Sequence, residues 1–337
     1  MPGIAFVEVE EAWEEAYLKQ GLAGLKEVGF FRETAQEILP QLKSSEVISI
    51  FIKSRLDRPA LASLPSLKMI STRSTGFDHV DVSAAQEKGI VVSNVPTYGE
   101  NTVAEHTFAL ILSLSRTLRK AYARTLQNDF SIKGLMGFDL KGKTLGVIGT
   151  GHIGLHVIRI GVAFGMNVVA FDTRRQNFLA EVLNFEYVSL EELLKRSDIL
   201  TLHVPYLPAT HHLINRERIR MIKKGAMLIN TARGGLVDTD VLVKALDDGT
   251  LSGAGLDVLE EEEMILEERR FLETAENQEH WSKLQTTLKN HVLLHRENVI
   301  YTPHMAFYSR EAVQRILDTT LENIRAFLAG RPVNEVK

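Results

Sequence analysis

The sequence predicts an α/β protein of two parallel-sheet units, the second carried inside the chain of the first. Three observations support this. A glycine-rich turn lies mid-chain between an apolar strand and an apolar helix. Well over a hundred residues of alternating strand and helix patterns precede it, and an amphipathic helix closes the chain. Short apolar runs alternating with helical stretches imply βαβ crossovers and a mostly parallel sheet.

The turn is Gly149-Thr150-Gly151-His152-Ile153-Gly154. A strand from Leu145 to Ile148 enters it, a helix from Leu155 to Phe164 leaves it, and a second strand, Asn167 to Phe171, ends on Asp172. In that setting Gly149 permits the tight turn, Gly151 lets backbone approach a pyrophosphate, and Gly154 lets helix pack on strand. Phosphates are favoured at the helix N-terminus, where His152 and Ile153 stand, by free N–H groups and the helix dipole. Asp172 can accept from a ribose 2′-hydroxyl and would repel a 2′-phosphate, so NAD is the expected cofactor, although Arg174 and Arg175 follow it. The competing reading is a glycine-rich turn in some other α/β protein.

Ahead of the turn, Ile4–Val9, Val47–Ile52, Met69–Ser71 and Val91–Asn94 read as strands. Ala12–Val28, Thr34–Leu42, Pro59–Leu64 and Ser83–Lys88 read as helices between them. No glycine fingerprint occurs there, so this unit is a poor nucleotide binder. A helix from Asn101 to Leu126 carries a stripe of Val103, His106, Thr107, Leu110, Ile111 and Leu114; at roughly 39 Å it could bridge two domains. Beyond the turn, strands Ile199–Val204, Ala226–Asn230, Gly253–Leu256 and Val299–Thr302 alternate with helices Leu190–Lys195, Arg216–Ile222 and Thr239–Gly249. The last helix, Ser309 to Ala329, is expected to return to the first unit. This gives one domain of residues 1–100 with 303–337 and a nucleotide domain of 101–302. A charged stretch from Glu260 to about Asn298, with Trp281, Leu284 and Leu288 on one face, reads as a solvated helical insertion.

Composition narrows the function classes. The chain has 337 residues, no cysteine and a net charge of −4. Disulfides, thiolate metal sites and a cysteine nucleophile are excluded, and no other metal site is expected. No basic block points to nucleic acid, and no apolar run approaches the ~18 residues of a membrane span. The acidic start, Met1 to Glu15, lacks signal-peptide features. A cytoplasmic protein is expected.

Three polar spots fall at strand ends, where ligands of open α/β sheets bind. In Asn230-Thr231-Ala232-Arg233-Gly234-Gly235, the arginine can present a planar fork to a carboxylate, or lie in a surface turn. Asp257 ends another strand, and a glutamate in the run after it could touch a catalytic histidine, though charge runs are usually solvated. His304, in Thr302-Pro303-His304-Met305-Ala306, suits proton transfer near neutral pH, although a lone histidine is more often structural. Together Arg233, Glu262 and His304 match nicotinamide chemistry, which needs one proton-handling group beside the hydride site.

With these positions in view, the sequence resembles the D-isomer-specific 2-hydroxyacid dehydrogenases, most closely the D-lactate dehydrogenases among them. The resemblance spans nearly the whole chain. It rests on the Gly149–Gly154 turn, His203-Val204-Pro205, Asn230-Thr231-Ala232-Arg233-Gly234, Gly255-Leu256-Asp257-Val258 with Glu262 beyond, and Thr302-Pro303-His304. It implies two Rossmann-like doubly wound domains, the nucleotide domain inserted in a discontinuous flavodoxin-like substrate domain, with the active site in a cleft that closes on substrate. It implies that His304 is the acid/base, Glu262 its partner, and Arg233 the group that binds and polarises a 2-oxo acid. Backbone N–H groups of Thr75 and Gly76 would hold the substrate carboxylate. Thr231, Ala232 and His203 would line the cofactor, Asp257 would face the nicotinamide amide, and Val204-Pro205 would flank the adenine. Tyr98 and Phe307 point to the lactate branch, where Phe307 would shrink the pocket toward pyruvate's methyl group; the alternative for both is core packing. The four-glutamate run leaves the register of Glu262 open by one residue. A homodimer through the nucleotide domain is usual in the family. Glyoxylate, hydroxypyruvate or bulkier 2-oxo acids are the alternative substrates, and an NAD-sensing binding protein on this fold is the alternative class.

Overall fold

The structure, a computed structural model, describes residues 3–25, 27–262 and 288–336. It divides into two compact units, Met1–Tyr98 with Ser309–Lys337, and Gly99–Tyr308. The turn bearing His304 and Phe307 therefore goes with the second unit and not with the final helix. The reason is chemical: the Met305 and Ala306 N–H groups are bound to Asp257.

In the first unit the strands are β1 (Ile4–Phe6), β2 (Val28–Phe30), β3 (Val47–Ile50), β4 (Met69–Thr72) and β5 (Val91–Ser93). They form a parallel sheet in the order β2-β1-β3-β4-β5, with Ile4 opposite both Val28 and Val47. This is the flavodoxin-like order. Side chains alternate across it, as the two-residue period of a strand requires. Ile4, Phe6, Val47 and Met69 face one core, with Leu18 of helix α1 (Ala12–Gly21). Val313, Leu317 and Leu321 of the chain's last helix (Arg310–Leu328) complete that layer. Ala5, Ile48, Ile50 and Ile70 face the other core, over α2 (Leu39–Leu42), α3 (Arg58–Ala62) and α4 (Val82–Glu87). Both faces are covered, so β3 and β4 are buried throughout, their polar residues Ser49, Ser71 and Thr72 included. The first helix ends at Gly21, well short of Val28, which opens β2 instead. Thr34–Leu42 is helical only over Leu39–Leu42.

In the second unit the strands are β6 (Thr144–Ile148), β7 (Asn167–Phe171), β8 (Glu186–Tyr187), β9 (Ile199–Leu202), β10 (Ala226–Asn230), β11 (Leu251–Leu256) and β12 (Val299–Tyr301). Their parallel order, β12-β11-β10-β9-β6-β7-β8, is the Rossmann order with one added edge strand. Helices α5 (Glu100–Ser115) and α7 (His152–Ala163) cover one face through Phe108, Ile111, Val157 and Ile158. The other face is covered by α9 (Leu190–Arg196) and α10 (Thr239–Asp247) through Leu193, Leu194, Val241 and Leu242. Helix α8 (Asn177–Leu183) leads into β8. The fold class read from the sequence holds in both units.

The long helix expected over Asn101–Leu126 is two helices, α5 and then α6 (Leu118–Leu126), so it has no single 26-residue span. The break is at Thr117, which is left-handed (φ 49°). A returning loop holds it there: Phe138 N–H donates to Ser115 O, and Thr117 Oγ1 donates to Leu135 O. Helix α6 has no buried residue. The stretch Arg216–Ile222 is a short 3-10 helix over Arg218–Met221. Trp281 and Leu284 lie outside the described residues, while Leu288 is exposed and helical with the described residues 288–294 (α11); Arg310–Leu328 is then α12.

Candidate active site

The candidate residues of the second unit stand at the carboxyl ends of β6, β7, β9, β10, β11 and β12. The turn after β6 is built for close approach. Gly149 adopts φ 99°, and a Cβ on it would stand 2.4 Å from the His203 carbonyl oxygen. A Cβ on Gly154 would stand 1.9 Å from Gly149 O, so α7 can lie on the turn only with glycine there. Gly151 differs: a Cβ on it would meet no atom within 4 Å. It is the N-cap of α7, and no side chain caps that helix end. Open backbone N–H groups at His152 and Ile153, beside a glycine with clear space over it, fit a pyrophosphate.

Asp172 ends β7. Burial pushes its pKa up, but N–H bonds from Arg174 (2.9 Å) and Thr150 (2.7 Å), with the Thr150 and Thr173 hydroxyls, outweigh that, and the net shift is downward. The carboxylate thereby ties the end of β7 to the glycine turn. His203 follows β9 and bonds Thr201 Oγ1 through Nε2 (2.9 Å). Enclosure of its ring pushes its pKa down to about 3, so it is neutral at ordinary pH. Val204 is partly buried against the core, and Pro205 is exposed.

The Arg233 turn is fixed by Asn230, itself buried, whose side chain donates to Arg233 O (2.8 Å) and accepts from Ala232 N–H (3.1 Å). A Cβ on Gly234 would strike Leu259 O at 2.0 Å, so this turn lies directly against the segment leading to Glu262. Thr231 is buried and bonds Thr107 of α5.

His304 Nδ1 lies 2.8 Å from Glu262 Oε1, and the other Glu262 oxygen accepts from Leu259 N–H (3.1 Å). Among the described glutamates of the run, Glu260 pairs with His212 at 2.6 Å and Glu261 has φ 54°. Glu263 lies outside the described residues. Asp257, fully buried, accepts from Thr302 Oγ1 (2.5 Å), Met305 N–H (2.9 Å) and Ala306 N–H (2.8 Å). Burial raises its pKa; those bonds and the nearby His304 imidazole partly offset the rise. Its carboxylate therefore organises the turn that carries His304. Beside it the Tyr301 phenol is pushed up to about 12 by burial and by the Glu262 and Asp257 charges. Phe307 is buried.

In the first unit, the loop after β4 presents Thr75 and Gly76. Asn94 Nδ2 donates to Thr75 O, Thr75 Oγ1 to Val95 O, and Ser74 Oγ to Gly76 O. Among the described residues neither the Thr75 nor the Gly76 N–H has an acceptor. Tyr98 is half-buried, and its carbonyl accepts from Arg315 Nε. Among the described residues no three His, Asp or Glu side chains gather as metal ligands, and no helix is long and apolar enough to cross a membrane.

The sequence reading put His106 and Thr107 on an apolar stripe and gave neither a polar role. In the structure, His106 Nε2 reaches Thr302 Oγ1 (2.9 Å) and Thr107 Oγ1 reaches Thr231 Oγ1 (3.0 Å). Two adjacent polar residues on a core-facing helix stripe were the available signal.

A Rossmann sheet with an uncapped glycine turn, and a carboxylate–imidazole pair at its neighbouring strand ends, defines a dinucleotide-dependent oxidoreductase. Residues 108–306 match the model of the NAD binding domain of the D-isomer specific 2-hydroxyacid dehydrogenases. The chain belongs to this family and is an NAD-dependent D-2-hydroxyacid dehydrogenase. It is similar to the crystal structure of D-lactate dehydrogenase from Aquifex aeolicus complexed with NAD and lactic acid. The TM-score is 0.87 and the identity 38%, over 99% of this chain and 100% of that one. It is 37% identical to the D-lactate dehydrogenase of Escherichia coli over 83% of this chain and 82% of that protein. It is also 37% identical to a glyoxylate reductase of Thermofilum pendens, over 88% of this chain and 82% of that protein.

Proposed function

We propose that this enzyme reduces pyruvate to D-lactate, with His304 as the acid/base. The observation that carries the reading is the 2.8 Å contact of His304 Nδ1 with Glu262. A carboxylate accepting from Nδ1–H fixes the tautomer, leaving Nε2 to face a substrate oxygen. Reduction needs a hydride, which NADH supplies when bound, and a proton, which His304 Nε2 delivers to the carbonyl oxygen as it becomes a hydroxyl. Arg233, on a turn held by Asn230, polarises that carbonyl and pairs with the oxo acid. The Thr75 and Gly76 N–H groups receive the carboxylate. Thr231, Ala232, Val204, Pro205 and Asp257 line the cofactor, and Asp172 selects NAD over NADP.

Tyr98, the bulk of Phe307 and the likeness to D-lactate dehydrogenases support pyruvate. The likeness to a glyoxylate reductase supports a second reading, with glyoxylate or hydroxypyruvate as substrate. Exposed Tyr122, Leu126, Phe130, Ile132 and Met136, on α6 and the loop after it, support a homodimer formed through this face.

One experiment tests the chemistry and the substrate together. NADH oxidation is followed with pyruvate, glyoxylate, hydroxypyruvate and phenylpyruvate, and product chirality is read. Pyruvate should give the highest kcat/KM and D-lactate. His304→Ala should lose roughly 10²–10⁴-fold in kcat while still binding NADH. Glyoxylate as the best substrate would overturn the pyruvate assignment. Near-normal turnover in the variant would overturn the acid/base assignment.

A further inference from the structure

We infer that His106, on α5, is a positioning residue: by donating from Nε2 to Thr302 it braces the turn that holds His304. The inference rests on the reading of His304 as the acid/base. His304 has φ 51°, a left-handed conformation that strains a non-glycine residue and persists only where surrounding bonds impose it. All but one of those bonds go to Asp257. His304 N–H donates to Asp257 O (2.8 Å) and to Thr302 O (2.8 Å), while Met305 and Ala306 N–H donate to the two Asp257 carboxylate oxygens. Thr302 Oγ1 is the third donor to that carboxylate.

Counting protons fixes what His106 does. The Thr302 hydroxyl has one proton, and a carboxylate only accepts, so that proton lies toward Asp257. Thr302 Oγ1 must then accept from His106, 2.9 Å away, and Nε2 carries the hydrogen. The same Nε2 is 3.5 Å from Asp257 Oδ1. The next residue repeats the arrangement at the neighbouring strand end. Thr107 Oγ1 gives its proton to Val103 O, so it accepts from Thr231, whose loop carries Arg233. Two consecutive residues of α5 thus hold the two loops that carry the proposed chemistry.

A structural role for the ring and a role for its N–H predict different variants. His106→Leu keeps bulk and removes the donor; His106→Gln sets an amide N–H at a similar reach. The expected result is a tenfold or greater fall in kcat for His106→Leu, with NADH affinity within twofold of the parent, and recovery to within threefold in His106→Gln. Thr302→Val, which removes both the His106 bond and the Asp257 bond, should fall in kcat at least as far, and adding His106→Leu to it should cost nothing further, since the bond to His106 is already gone. Parental kcat in His106→Leu, equal impairment of the Leu and Gln variants, or additive losses would each overturn the proposal. Should His106→Leu fail to fold, the Gln and Thr302→Val variants decide alone: parental kcat in Thr302→Val or a tenfold loss in His106→Gln overturns it. Failure of the acid/base reading shows separately, as turnover retained by His304→Ala.

Discussion

The two units solve the same problem in opposite ways. Each sheet reverses its strand order beside its first strand, and each makes a crevice there, between β1 and β3 in one unit and between β6 and β9 in the other. Each turns its chain with positive φ just after that strand, at Glu8 (56°) and at Gly149 (99°). In the first unit the Glu8 carboxylate fills the crevice. It accepts from the N–H groups of Phe51 (2.8 Å), Lys53 (2.8 Å) and Ser54 (3.2 Å), and the buried Arg73 guanidinium donates to the Val7 and Glu8 carbonyls from above β4. In the second unit the Asp172 carboxylate takes only the Thr150 N–H of the turn, from the β7 side; among the described residues no side chain caps α7, and a Cβ on Gly151 would meet no atom within 4 Å. A doubly wound sheet offers an anion site at its switch point; whether a cofactor can use it depends on whether the chain brings its own carboxylate.

The comparison breaks most sharply at Gly149. Gly149→Val puts a branched side chain at φ 99° and 2.4 Å from His203 O. NADH affinity should fall at least a thousandfold, about 4 kcal/mol, in a fluorescence titration. A loss under tenfold would mean the turn can shift, and its fixed geometry would not be what admits the cofactor.

The mirror experiment is Glu8→Ala. It strips the acceptor from three N–H groups in a crevice where Glu8 is 6% exposed. Unfolding stability should fall by about 3 kcal/mol, since buried unpaired donors cost roughly 1–3 kcal/mol each and part of the site will rehydrate. NADH affinity of the folded fraction should be unchanged. Weakened NADH binding would show that the first unit's crevice bears on the cofactor after all.

The same contrast shows what could be read from sequence. The glycine turn was legible because its residues are special one by one: each glycine stands where a Cβ would collide or would block an approach. Strand ends were legible from apolar runs, and so Arg233, Asp257 and His304 were placed on the right edge of the sheet. The Glu8 arrangement was not legible, because its partners Phe51, Lys53 and Ser54 contribute only backbone, which every residue has. Nor was the break at Thr117, fixed by carbonyl contacts to a distant loop. His106 and Thr107 have helix-stripe spacing, and periodicity alone cannot separate a polar brace from a residue that packs. The residue in the glutamate run that meets His304 depends on where β11 ends and the chain turns, which a run of identical residues hides.

The smallest expected effect concerns His203, whose carbonyl closes the second unit's crevice over Gly149. Its folded pKa of about 3 lies well below the ~6.5 of an unfolded histidine. Above pH 6.5 the ring is neutral in both states and pH has no leverage through it. Below 6.5 the unfolded chain takes up a proton that the folded chain refuses until about pH 3, so the unfolded state binds more protons and stability falls as pH falls. After discounting for the part of the ring that water reaches, the loss by pH 5 should be about 1 kcal/mol. Other groups titrate in this range, so the readout is a difference. Urea unfolding of the parent and of His203→Asn is compared at pH 7.5 and pH 5. The variant loses packing at both values, and the parent's advantage should shrink by about 1 kcal/mol at the lower pH. An advantage that stays constant would mean the folded protein protonates His203 as readily as water does, and that the wall of the crevice facing Gly149 is open to solvent.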